Sequence, residues 1–330
     1  MAYGLCCRIL TMLAVTVSTA DRIKARARAL GFDLVGIASA EPSKYRQHLL
    51  DWLDSGAAGE MHYLRERFAE RIDPNLYLPG AKSVVCVALN YHVPLEPAPP
   101  GSARIARYAQ GDDYHERLKP MLYDLADWIR AEFPGTQTRC GTDSAPIMER
   151  ELAARAGIGW VGKNTLVINP KIGSWILLGE VLTTLELDLD SPLPDHCGTC
   201  TRCIEACPTA AITEPYRVDA SRCISYLTIE HRGAISSELS SQMADWMFGC
   251  DICQEVCPHN SKAPVADTSW LQPRRSNNSV DPAEVAQWTL EDYHVFTRRS
   301  PLRRVKLPIL QRNAEMVREH TDRPEKPQRF

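Results

Sequence analysis

Four cysteines, Cys197, Cys200, Cys203 and Cys207, with Pro208 directly after them, form a C-x2-C-x2-C-x3-C-P run. A second group, Cys250, Cys253 and Cys257 followed by Pro258, ends in the same way, and Cys223 lies between the two. Thiolates at this spacing hold cubane [4Fe-4S] clusters. Three sulfurs on one tight loop reach three irons of one cube, while the fourth is carried past the turn to a neighbouring cluster. The spacing therefore assigns Cys197, Cys200, Cys203 and Cys257 to one cluster, and Cys207, Cys223, Cys250 and Cys253 to the other. Each terminal proline removes a backbone donor and fixes a turn, which suits a chain leaving one cluster for the next. Structural zinc is the competing reading. It prefers two C-x2-C knuckles per ion and leaves this rhythm without a reason. A disulfide framework belongs to small secreted chains rather than to one of 330 residues.

Clusters move single electrons, so the rest of the chain is expected to house the acceptor or the chemistry. Hydrophobic periodicity with capping and breaking residues predicts a helix over 18–30, strands over 32–38 and 82–91, and a helix over 114–132. A short strand leading to Cys140, a helix over 146–156 and strands over 164–168 and 175–186 follow. Residues 18–190 thus read as an α+β domain, 195–261 as the cluster domain, and 262–330 as a segment with short helices over 282–290 and 308–319. Residues 1–17 read as a leader or start-site extension. Their apolar stretch is too short to span a membrane, and Cys6 and Cys7 within it receive no role. A hydrophobic content of 44% with 24% charge fits an ordinary globular chain of two or three domains. The net charge of -3 hides an asymmetry, because Arg298, Arg299, Arg303, Arg304, Lys306, Arg312, Arg318, Arg323, Lys326 and Arg329 crowd the end. Such a cluster is a solvated face or a phosphate-seeking one. No dinucleotide fingerprint is present: Gly157, Gly159 and Gly162 have the wrong spacing and follow a helix.

The run Asp143-Ser144-Ala145-Pro146 with Glu149, then Arg155 to Leu166 with its Gly157-Ile158-Gly159-Trp160-Val161-Gly162-Lys163-Asn164 core, resembles the signature of the epoxyqueuosine reductase family. Further similar stretches are Gly59-Glu60-Met61, Asp73-Pro74 with Pro79 to Ser83, Arg107-Tyr108-Ala109 with Asp113-Tyr114-His115, and Ser300 to Arg304 with Arg312-Asn313. The resemblance implies an oxidoreductase that reduces epoxyqueuosine to queuosine at the tRNA wobble position. Electrons from an external low-potential donor would pass through the two clusters to low-valent cobalamin, with Asp143 as proton donor and a carboxyl pKa raised by burial. It implies a nitroreductase-like cobalamin domain, a ferredoxin-like two-cluster domain and a basic helical C-terminal segment, in a cytoplasmic monomer. The cofactor would be held base-off, in agreement with the absence of a D-x-H-x-x-G motif, since Leu118 stands where its glycine is required.

On the same ground, Met61, Arg67, Ala106, Gly162, Lys163, Asn164, Thr165, Ser225 and Asp251 are expected around the corrin with Asp143, the small side chain of Ala106 leaving room above the cobalt. Arg298, Arg299, Arg303, Arg304, Lys306 and Arg312 are expected to meet the phosphates of the anticodon stem-loop. The buried-thiol reading is kept for Cys86 and Cys140. Two other functions remain as alternatives. A cobalamin and iron-sulfur reductive dehalogenase should carry a twin-arginine leader, which is not seen ahead of residue 18; a non-catalytic electron-transfer module leaves Asp143 and the whole first domain without a purpose.

Overall fold

The computed structural model describes residues 17–267, 274 and 279–321. The expected leader with Cys6 and Cys7, and the basic residues Arg323, Lys326 and Arg329, lie outside the described residues.

Ser18 caps the first helix, α1 (Thr19–Ala29), by accepting a hydrogen bond from the Asp21 N–H, and the helix buries the stripe Ala20, Ile23 and Ala27. The strands that follow are β1 (Leu34–Ser39), β2 (Ser83–Asn90) and β3 (Ala103–Ile105). Next come the helix α2 (His115–Glu132), β4 (Thr138–Gly141), the helix α3 (Glu149–Arg155), the hairpin β5 (Trp160–Val161) and β6 (Val167–Ile168), and β7 (Ile176–Thr183). The main sheet has the order β1-β2-β7-β4 with every neighbouring pair antiparallel. β2 is buried at all of its positions because both faces are covered. Ile37, Val85, Val87, Leu89 and Val181 pack under Leu118, Leu122, Leu125 and Ile129 of α2. Val84, Cys86, Ala88 and Leu182 pack under Leu152 and Ala153 of α3. A strand buried on both faces reads as a continuous apolar run, which is what Ser83–Asn90 is.

The cluster segment contributes a small hairpin, β8 (Ile212–Glu214) and β9 (Arg217–Val218), the helix α4 (Ile224–Ile229) and β10 (Trp246–Phe248). The C-terminal segment contributes β11 (Ser279–Val280) and the helices α5 (Leu290–Thr297) and α6 (Leu307–Thr321). A second sheet of order β10-β3-β11 joins one strand from each of the three sequence segments, so they share backbone hydrogen bonds and a common core. Directly after β10, Gly249 has φ +69°, and a Cβ there would lie 2.5 Å from the Ala106 Cβ. Only glycine fits that left-handed, closely approached position.

Several elements depart from expectation. The helix expected from 146 begins at Glu149, because 142–148 form a turn with Ala145 N–H bonded to Thr142 C=O. The strand expected over 164–168 shrinks to Val167–Ile168, since Thr165 takes a left-handed φ of 66° in a tight turn. The helix α5 was not anticipated, although Thr289 and Asp292 form a reciprocal capping box at its start.

Candidate redox and proton-transfer site

The cysteines gather in two groups. Burial, then the charges of Cys257, Cys197 and Cys200, push the Cys203 thiol up. Burial also raises Cys250, with Cys223 and Cys207 adding to it, and the buried Cys253 has Cys250 and Cys223 as its first charged neighbours. Cys253 further feels Cys203 of the other group, so the groups adjoin. Among the described residues no His, Cys, Asp or Glu side chains converge as a site for a single metal ion. The first group sits under an exposed loop containing Gly198, Thr199 and Thr201. The second lies deeper, where Cys223 and Cys250 pack against Ala106, Ile224, Tyr226 and Trp246.

The turn between β5 and β6 braces both groups. Lys163 Nζ donates to Gly198 C=O at 2.6 Å and Cys200 C=O at 3.0 Å, and Asn164 Nδ2 donates to Cys253 C=O at 3.4 Å. Arg150 donates to Thr165 C=O at 2.7 Å, and a Cβ on Gly162 would lie 2.4 Å from Ile168 Cδ1. Gly162, Lys163, Asn164 and Thr165, expected at the corrin, therefore act on the cysteine loops and their support. Met61, Ala106, Ser225 and Asp251 do come together beside the second group: Met61 and Ala106 share its apolar cluster, Ser225 lies on α4 next to Ile224, and Asp251 follows Cys250. The Ala106 side chain is buried and packs against Gly249. Asp251 is 2% exposed and accepts from the Arg107 N–H at 2.7 Å. Arg67, also expected there, is exposed and paired with Glu70.

Asp143 lies at the end of β4, in the turn before α3, with 44% of its side chain exposed. Tyr114 Oη donates to Asp143 Oδ2, and His115 Nε2 meets Asp143 Oδ1 at 2.8 Å. The other ring nitrogen of His115, Nδ1, meets Asp113 Oδ1 at 2.8 Å, so the imidazole is bonded by carboxylates at both ends. Burial alone would raise the Asp143 pKa, but the bonds from His115 and Tyr114 more than reverse it and hold the carboxyl at about 2. His115 is the converse: burial lowers it, while Asp113 and Asp143 lift it to about 9. The expected raised pKa of Asp143 is thus overturned, and near neutral pH the proton resides on His115. Tyr108 lies between this site and the second cysteine group, since the charges of both Asp251 and Asp143 push its phenol up after burial does. The roles of Tyr114 and His115 were missed, although their triplet with Asp113 was singled out in the sequence; nothing local says that a chain 28 residues on returns to them.

The basic residues differ in what they meet. Arg298, Arg303 and Lys306 are exposed. Arg299 pairs with Glu116 at 2.8 Å and Asp112 at 3.4 Å, and Arg304 grips Glu230 through bonds of 3.0 and 3.1 Å. Arg312 is a correction: its guanidinium donates to the carbonyls of Leu227, His231 and Gly233, tying α6 to the end of α4 instead of facing a phosphate.

Comparison with known proteins agrees with this arrangement. Residues 196–260 match a family model described as a 4Fe-4S double cluster binding domain, and residues 71–144 match one described as epoxyqueuosine reductase QueG, DUF1730. The chain is 43% identical over 303 residues to an epoxyqueuosine reductase of Gloeobacter violaceus, covering 90% of this chain and 94% of that protein. Its fold is similar to an epoxyqueuosine reductase solved with an epoxyqueuosine-modified tRNA-Tyr stem loop, at 28% identity and a TM-score of 0.85, over 91% of this chain and 81% of that one. An epoxyqueuosine reductase from Bacillus subtilis, solved with a catalytic aspartate loop swung out of the active site, gives a TM-score of 0.84 at 28% identity over the same shares. At 43% identity over nine-tenths of its length to such a relative, the chain belongs to the epoxyqueuosine reductase family.

Proposed function

We infer that this protein reduces epoxyqueuosine to queuosine in tRNA, with electrons arriving singly through two [4Fe-4S] clusters held by the two cysteine groups. The observation that carries the reading is the conjunction of these groups with a proton site, Asp143 bonded to His115 and Tyr114, on a chain of this family. An external low-potential donor supplies the electrons at the exposed loop of the first group, and the second group faces the catalytic part of the fold. Among the described residues no helix is long and apolar enough to cross a membrane.

The residues present fit a base-off cobalamin between the second cysteine group and Asp143. Met61, Ser225 and Asp251 border that region, and the site's own histidine is not free to ligate a metal, because both of its ring nitrogens are bonded to carboxylates. When bound, low-valent cobalamin supplies the electron pair. Asp113 orients His115, His115 stores the proton, and Asp143 passes it to the oxygen as the epoxide opens, a role suited to a positioned acid within hydrogen-bond reach. Exposed Arg298, Arg303 and Lys306 hold the RNA backbone, while the modified base is splayed out towards Asp143, as loop-directed RNA enzymes require. The variant Asp143→Asn tests the assignment: it is expected to keep both clusters and to lose roughly a hundredfold or more in turnover. Native turnover in that variant would remove Asp143 from the chemistry.

A further inference from the structure

The β5–β6 hairpin carries a tryptophan into the first cysteine group. Trp160 pairs with Ile168 across the hairpin, and the two strands approach closely because Gly159 lacks a Cβ, which would lie 2.3 Å from the Ile168 carbonyl oxygen. Only 3% of Trp160 is exposed, and its indole packs against Ile168, Cys197 and Cys257. Those two cysteines are the first and last of the set assigned to one cluster. His196 directly precedes Cys197 and His259 lies two residues after Cys257. Both imidazoles make T-shaped contacts with the indole, with ring centres 5.0 and 4.9 Å away. The indole is thus inserted where the two ends of the group meet.

Trp160 Nε1 is buried there without a hydrogen-bond partner. A buried indole N–H ordinarily finds an acceptor, because leaving water without one costs the desolvation of the donor. Neither imidazole accepts this bond, and the side chain of Ile168 is apolar. The remaining neighbours in the packing cluster are Cys197 and Cys257. In a [4Fe-4S] cluster their sulfurs are thiolates set beside inorganic sulfides, and hydrogen bonds to such sulfurs, together with solvent exposure, tune the cluster potential.

We propose that the Trp160 indole N–H donates to a sulfur of the first cluster and that its ring shields that cluster from water, so that Trp160 sets the potential at which electrons enter. The reduced cluster carries one more negative charge than the oxidised one, so a donor stabilises the reduced form and raises the potential. This eases transfer from the external donor at the exposed loop. The Gly157-Ile158-Gly159-Trp160-Val161-Gly162 run, which lacks the spacing to bind a dinucleotide, acquires a purpose: its close-packed hairpin holds an indole at the sulfurs. Trp160 acts through the cluster and touches no substrate. The inference rests on the proposed [4Fe-4S] occupancy of the first cysteine group.

The test is an anaerobic potential titration of the cluster-loaded protein, followed by electron paramagnetic resonance, with Trp160→Phe. The second cluster is the internal reference, since Cys223 and Cys250 pack in a different apolar cluster that does not include Trp160. The variant is expected to keep its iron, to shift the first-cluster midpoint to a more negative potential and to leave the second in place. Electron-nuclear double resonance on the reduced first cluster should lose one exchangeable-proton coupling. Should Trp160→Phe fail to fold, a tryptophan analogue with sulfur in place of the indole N–H, incorporated at position 160, keeps the shape and removes the donor; the same two changes are expected. An unchanged or raised first-cluster midpoint in the analogue, or a retained proton coupling, would overturn the proposal. A native protein that shows no [4Fe-4S] signal after iron and sulfide loading would instead overturn the cluster reading on which it rests.

Discussion

Asp143 carries its charge because His115 carries a proton, and this coupling has a direction in pH. The His115 pKa is raised from its ordinary 6.5 to about 9. Whatever the protonated ring contributes, to stability or to proton supply, is complete below about 6.5 and lost as pH rises through about 9. Asp143 runs the other way: held at about 2, it stays ionised until strongly acidic pH and leaves the pair intact across the working range. Turnover by the native enzyme is therefore expected to fall on the alkaline side with a limb near 9, and His115→Gln should abolish that limb along with most of the rate. A pH–kcat profile checks this; an unaltered alkaline limb in His115→Gln would mean that the proton comes from elsewhere.

At the scale of elements, the β5–β6 turn is a bracket between the catalytic part of the fold and the cysteine loops. Lys163 presents an ammonium to two carbonyls of the first cysteine loop, and Asn164 reaches the loop of the second. Cluster potentials respond to nearby charge and hydrogen bonding, and a fixed cation favours the more negative, reduced cluster. Lys163→Met is accordingly expected to keep its iron while the first cluster becomes harder to reduce. Lys163→Arg should stay near native. A potential titration followed by electron paramagnetic resonance reads this directly, and an unchanged midpoint in Lys163→Met would leave the lysine as a mechanical latch.

For the molecule as a whole, what the sequence made legible was local. The cysteine rhythm, the long amphipathic helix over His115–Glu132 and the continuous apolar strand Ser83–Asn90 each state their structure within a short window. What it hid was non-local. β3 finds its partners β10 and β11 more than 140 residues onward, and Lys163 meets carbonyls 35 and 37 residues away, so neither contact leaves a periodic trace. Arg312 misled by composition: it belongs to a basic stretch by sequence and to the packing of α6 by structure, beside Asn313, whose side-chain amide donates to Thr228 and Met247 C=O at 2.9 Å each. The central claim spans all of these parts, because it needs clusters, proton site and RNA surface to act together. Its most direct test is to purify the protein without oxygen, add cobalamin and a low-potential reductant, and follow tRNA bearing epoxyqueuosine by mass spectrometry. Conversion to queuosine is the predicted result; no conversion by protein carrying both clusters and bound corrin would contradict the account.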